Sequence, residues 1–253
     1  MITIGVPTKN RPILLERTLA SLLGVLDSKL VKELIILDGS RKVSSNVKRI
    51  LRIIEQHIPI RYILSTDIPL VRSRRKLLEL CRTPYLYSFD DDIILSRSTF
   101  HTYPFDPSYA FICPRIIDLW YMGFHWFEFP ESTMLLPYTE ATKRVPLKYI
   151  NTGAVLLDVD ICLQAGVFTD KNNLGEYLEG SARLHKVGKM GLYEPKAIVY
   201  HCLNPRAWRS EELKPTHPYP EEFVKYIRPN PQIKKYSIKI ERLMNEAAGF
   251  ECS

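Results

Sequence analysis

Three consecutive carboxylates, Asp90, Asp91 and Asp92, follow directly on the apolar and aromatic run YLYSF (85–89). Adjacent anions repel one another, and a simple turn would use fewer of them. Carboxylates at i and i+2 beyond a strand end can converge on one hard cation, which takes oxygen ligands. A magnesium- or manganese-type ion needs few protein ligands and completes its shell with water and phosphate oxygens. The competing reading is a solvated acidic turn or a helix N-cap. Asp38 raises the same question, because it closes the apolar run LIILD (34–38) just before Gly39. It is either a ligand-facing carboxylate or an ordinary turn aspartate. Arg74 stands sixteen residues before Asp90, with Arg72 beside it, and His201 closes the run AIVYH. Arginine pairs with phosphates and base carbonyls in forked geometry. A neutral imidazole suits a manganese-type ion, but a partly buried histidine at a strand end is an equal alternative.

These residues matter only if the fold gathers them. ITIGV (2–6) reads as a buried strand, and PTKNRP then turns the chain into a helix carrying Leu15, Leu19, Leu22 and Leu26 at helical spacing. Further strands are predicted at 34–38, 60–65 and 85–89, with helices near 44–56 and over 70–81. Strands that are apolar on both faces, alternating with helices, imply a parallel sheet covered on both sides. Ligands on such sheets sit beyond the carboxyl ends of the strands. Asp38, Asp90 and the PTKNR turn all fall there. The second half is less regular. Strands are expected at 109–115, 152–158 and 197–201, a helix at 175–187, and a basic helix in the tail after a Pro-rich, charged stretch.

The series ITIGVPTKNRPILLERTLASLL, LIILDGS and RRKLLELCRTPYLYSFDDDIIL resembles the nucleotide-binding half of family 2 glycosyltransferases, which have the GT-A fold; the match runs over residues 2 to 95 and, more weakly, 151 to 201. The resemblance implies a mostly parallel central sheet flanked by helices, a smaller acceptor-side β region and C-terminal helices. It implies one catalytic domain over 1–203, with a nucleotide-binding half (1–95) and an acceptor half (96–203), and a helical extension over 204–253 packed on it. A metal-dependent transfer of a sugar from a nucleotide donor follows, the donor being a UDP-sugar, with inversion expected.

Residue by residue, the resemblance places Pro7, Thr8 and Asn10 against the nucleoside, with Arg11 nearby. Asp38 would accept a hydrogen bond from the base, where LDGS stands in place of the family's D-D-G-S. Either Arg74 or Arg72 occupies the family's arginine position. Asp90 would face the ribose and the metal shell, Asp92 would bind Mn²⁺ or Mg²⁺ directly, and Asp91 would support them. His201 is the further metal candidate. GEYLEGSARLHKVG (175–188) is similar to the family's acceptor-side helix, but Tyr177 stands at the usual catalytic aspartate. An inverting transfer needs a carboxylate to take the acceptor's proton. Glu176 is the candidate base and Glu179 the alternative. The aromatic run 120–129 is expected to be mostly core, with Trp120, Tyr121 and Trp126 as rings that could stack on an acceptor.

Composition narrows the classes. The 253 residues, 45% hydrophobic and 25% charged, suit a folded chain, and the net charge of +7 favours an anionic partner. Basic and aromatic residues are segregated, so no nucleic acid is expected. PTKNRP holds no glycine, which argues against a nucleotidyltransferase with a Gly-rich phosphate loop. Five scattered cysteines form no C-x-x-C pair, pointing to a reducing compartment. No leader-like segment opens the sequence, and no apolar run reaches the roughly 20 residues of a membrane span. The expectation is a cytoplasmic protein, soluble or peripheral. Its basic C-terminal helix either packs on the domain or touches a membrane surface. The acceptor, whether saccharide, lipid-linked or protein, is left open.

Overall fold

The computed structural model describes residues 1–66, 68–100, 102–106, 108–118, 124–129, 132–137, 143–147, 150–169 and 176–201, with main chain alone for 117–118, 124–129, 132–137 and 176–179. The elements run β1 (Ile2–Thr8), α1 (Pro12–Val25), β2 (Val31–Asp38), α2 (Ser45–Ile54), β3 (Ile60–Leu64), α3 (Leu70–Leu80), β4 (Tyr85–Phe89) and β5 (Ile93–Leu95). There follow β6 (Tyr109–Asp118), β7 (Phe124–Phe129), β8 (Ser132–Pro137), β9 (Val145–Leu147), β10 (Ala154–Asp158), α4 (Val159–Ala165), α5 (Glu176–Lys186) and β11 (Met190–His201). One continuous sheet has the order β3-β2-β1-β4-β10-β6-β11-β5, with β9 pairing β11, and β7–β8 form a separate hairpin.

The first four strands are parallel, as their two-sided apolarity predicts. The second half joins differently. β10 runs antiparallel to both β4 and β6, while β11 runs parallel to β6. This reversal places the start of β10 beside the end of β4. The turn at 151–153 and His201 therefore reach the same sheet edge as Asp90.

The helices divide between the two faces. Leu15, Leu19 and Leu22 of α1 and Val47, Ile50 and Ile54 of α2 pack with Ile4, Val6, Leu34 and Ile36 on one face. Val71, Leu77 and Leu78 of α3, Cys162 of α4 and Leu184 of α5 pack with Ile35, Leu37 and Leu86 on the other. Each helix buries residues spaced three and four apart, the stripe that an amphipathic helix turns inward. Gly5 lets α3 lie close to the sheet, since a Cβ there would sit 2.9 Å from Leu86 Cδ1 and 3.3 Å from Leu77 Cδ1. That close approach brings Arg74, on the buried side of α3, within reach of the end of β4.

Several elements go beyond the sequence reading. β11 is twelve residues long, and its register against β6 shifts between Glu194 and Ile198. The strand predicted at 152–158 begins only at Ala154, because Asn151 Oδ1 accepts from the Gly153 N–H at 3.1 Å and curls the chain there. α4 is short but capped at both ends. Asp158 accepts from the Ile161 N–H, and Gly166 takes the left-handed conformation at φ 73°. The predicted C-terminal extension over 204–253, with its packing or membrane contact, lies outside the described residues. Among the described residues, no helix is long and apolar enough to cross a membrane.

Candidate functional site

The carboxyl ends of β1, β2 and β4 lie side by side, with Thr8 in register with Asp38. Beyond β1 the chain turns through Asn10, whose φ of 56° is left-handed, a conformation asparagine tolerates. The Asn10 N–H donates to Ser40 Oγ at 2.7 Å, and the Gly39 N–H donates to the Thr8 carbonyl at 2.8 Å. These bonds tie the PTKNR turn to the DGS turn. Pro7 is buried within β1, whereas Asn10 is exposed at the rim.

The aspartates are held by side chains from several other elements. Arg74 Nη2 reaches Asp90 Oδ1 at 2.5 Å, with the arginine almost wholly buried. Arg72, one helical position away from that face, is exposed. The structure therefore brings Arg74 to the aspartates and not Arg72. Arg11 Nη1 meets Asp91 Oδ1 at 2.8 Å, and its Nη2 meets Asp92 Oδ2 at 2.5 Å. The Thr8 hydroxyl donates to Asp91 Oδ2 at 2.5 Å, and Thr18 donates to the Asp91 carbonyl at 2.7 Å. From the far side of the sheet, His201 Nε2 approaches Asp92 Oδ1 at 3.4 Å. The Asp90 N–H donates to the Gly153 carbonyl at 3.0 Å, which anchors the turn to the start of β10.

Burial and pairing set the charge states. Burial pushes the Asp91 carboxyl up to about 7, with Arg11 pulling it down and the neighbouring charge of Asp92 adding to the rise. Asp92 is buried as well, but its interactions with His201 and Arg11 outweigh that burial and hold it below the usual carboxylate range. Asp92 is therefore the firmly ionised member of the pair.

Asp38 is nearly buried, with both oxygens occupied. Oδ1 accepts from the Ser40 N–H at 2.8 Å, and Oδ2 accepts from the Tyr62 hydroxyl. Burial first, and then Asp38 itself, push the Tyr62 phenol well above its ordinary value, so it remains a donor. Tyr62 was missed by sequence reasoning. The available signal was its place on β3, opposite Ile36 and two residues from the position opposite Asp38, hence on the same face. Thr18 and the 151–153 turn were missed too.

Among the described residues, no group of three or more His, Cys, Asp or Glu side chains is placed to hold a metal ion by itself. A divalent ion that shares its shell with phosphate oxygens does not need such a group. Asp92 Oδ1 is buried without a hydrogen-bond partner. Facing His201, it fits a hard or borderline cation supplied together with a diphosphate.

Glu176 opens α5 and Glu179 lies one turn further along; the side chains of both lie outside the description. Trp126 falls on β7, paired with Leu135, and its side chain is likewise outside. Trp120 and Tyr121 lie outside the described residues altogether.

Residues 3–102 match the family model described as "Glycosyl transferase family 2". No curated protein matches the chain. A solved structure, "Crystal structure of GalNAc-T7 with UDP, GalNAc and Mn2+", shares the fold with a TM-score of 0.62 and 14% identity. The alignment covers 93% of this chain and 47% of that one, so the chain spans about half the length of its solved relative. Over residues 3–102 the chain is thus similar to family 2 glycosyltransferases, and its architecture is that of the GT-A fold.

Proposed function

We propose that the chain transfers a sugar from a nucleoside diphosphate donor, a UDP-sugar, to a hydroxyl acceptor, with a divalent metal and with inversion. The observation that carries this reading is the linked network Thr8–Asp91–Arg11–Asp92–His201 at the carboxyl edge of the sheet. Ligands of open α/β sheets bind at that edge. The solved relative, whose structure contains UDP, GalNAc and Mn²⁺, supports the choice of ligand class.

In this reading the nucleoside lies across Pro7, Thr8 and Asn10, and Asp38 accepts from the imide N–H of uracil. Tyr62 and Ser40 hold the Asp38 carboxylate so that it presents only acceptor lone pairs. Cytosine offers no N–H at the matching ring nitrogen and is disfavoured. Arg74 orients Asp90 toward the ribose and the metal shell. Asp92 and His201 would hold Mn²⁺ or Mg²⁺, which when bound neutralises the charge on the departing diphosphate. The acceptor oxygen bonds to the anomeric carbon as that carbon's bond to the diphosphate oxygen breaks. The acceptor's proton passes to Glu176, with Glu179 as the alternative base. Trp120, Tyr121 and Trp126 are the proposed acceptor platform.

A second reading is kept by Tyr177, which occupies the place where the resemblance expects an acid. It is a nucleotide-sugar-binding protein that does not catalyse transfer. Release of UDP from a panel of UDP-hexoses with Mn²⁺ and mixed saccharide acceptors separates the two. Turnover above the protein-free rate supports transfer. Binding of the same donors without turnover supports the second reading.

A further inference from the structure

We infer that Arg11 is a positioning residue that aims Asp92 at the metal, and is not a ligand of the nucleotide. This inference rests on the metal-dependent reading above. Arg11 is the N-cap residue of α1, so its backbone is set by the junction between β1 and that helix. Its two terminal nitrogens face two different carboxylates, at 2.8 Å from Asp91 Oδ1 and 2.5 Å from Asp92 Oδ2. One rigid planar group thus fixes the separation and tilt of both side chains.

Asp91 is the fixed end of the device. Its Oδ1 is taken by Arg11, its Oδ2 by the Thr8 hydroxyl at 2.5 Å, and its carbonyl by Thr18 at 2.7 Å. Its side chain is 2% exposed and both its oxygens are already engaged within the protein. Asp92 is the aimed end. With Oδ2 held by Arg11, its remaining oxygen, Oδ1, faces His201 Nε2 at 3.4 Å and has no other partner. The fork leaves one carboxylate oxygen and one imidazole nitrogen facing each other. Arg11 Nε is itself buried and unpartnered.

Lysine retains the charge but presents one point in place of a fork. Partners that orient metal ligands typically cost about 10- to 100-fold in metal affinity when removed. The test is titration of Mn²⁺ at saturating UDP, with free Mn²⁺ read by electron paramagnetic resonance, paired with titration of UDP at saturating Mn²⁺. For Arg11→Lys, Mn²⁺ affinity should fall about tenfold or more, while UDP affinity at saturating Mn²⁺ stays near wild type. Asp91→Asn, which loosens the fixed end without deleting the arginine, should shift Mn²⁺ affinity in the same direction by less. Unchanged or tighter Mn²⁺ binding in both variants overturns the inference. So does a loss of UDP affinity at saturating Mn²⁺ in Arg11→Lys, the signature of a phosphate ligand. Failure of the wild type itself to bind Mn²⁺ with UDP would bring down the metal-dependent reading as well, which distinguishes that failure from this one.

Discussion

Arg74 of α3 meets Asp90 at the end of β4 at 2.5 Å, with the guanidinium 2% exposed and the carboxylate 27% exposed. A buried cation that loses its partner, or a carboxylate that loses its cation, keeps the cost of desolvation without the compensating bond. Arg74→Met should therefore destabilise the fold by about 2 kcal/mol, within the range for charge-assisted hydrogen bonds. The exposed Arg72→Met should change stability by no more than about 0.5 kcal/mol. Urea unfolding of the two variants checks this. Equal losses would mean that the Arg74–Asp90 contact contributes nothing distinctive.

Tyr62 acts on Asp38 and, in the proposed function, through it on base choice. Tyr62→Phe removes one neutral-to-charged hydrogen bond and leaves the ring in place. UDP affinity should fall about fivefold, the equivalent of about 1 kcal/mol. The preference for UDP over CDP should shrink, because a less firmly held carboxylate discriminates less well between a ring N–H and a ring acceptor. Calorimetry with both nucleotides reads the ratio. An unchanged preference would remove Tyr62 from base recognition.

The charge state of Asp91 has a consequence for stability. Its folded value, about 7, lies above the ordinary aspartate value of 3.8. Between these values the folded chain holds a proton that the unfolded chain has released, so this group's contribution to stability is lost as pH rises from about 4 to about 7. Asp92 shifts the other way, and its window lies below the ordinary aspartate value. Melting curves across pH 4 to 8 should show wild type losing stability relative to Asp91→Asn as pH rises. Parallel pH profiles would place the Asp91 carboxyl near its ordinary value.

Much of the first half of the fold was legible in the sequence because its strands are apolar on both faces and end in polar, turn-forming residues. Val6, Ile36 and Phe89 lead directly to Thr8, Asp38 and Asp90, and the structure keeps that order. The choice between Arg72 and Arg74 was not legible. It depends on which face of α3 meets the sheet, and that follows from Gly5 and Leu77 across the chain. Tyr62 was hidden for a similar reason: its role arises from the register of β3 against β2. The antiparallel entry of β10 was also hidden. VLL reads the same in either strand direction, and the turn at Asn151–Gly153 that leads into β10 carries no apolar pattern.

Glu176 is the proposed general base. Glu176→Gln keeps the shape of the side chain but cannot accept a proton. It should bind donor and lose transfer by about 10² to 10⁴-fold, while Glu179→Gln stays mild. Single-turnover assays with a responsive acceptor check this. Full turnover by the Glu176 variant alongside inactivity of the Glu179 variant would move the base one turn along α5.

Joint binding of nucleotide and metal at Asp92 is the central requirement of the proposed function. UDP should be titrated calorimetrically into wild type and Asp92→Ala, each in Mn²⁺ and in EDTA. Wild type should bind UDP in Mn²⁺ and clearly more weakly in EDTA, and Asp92→Ala should lose this difference while remaining folded. No binding of UDP by wild type in either condition, or the same affinity in Mn²⁺ and EDTA, would contradict the proposed function.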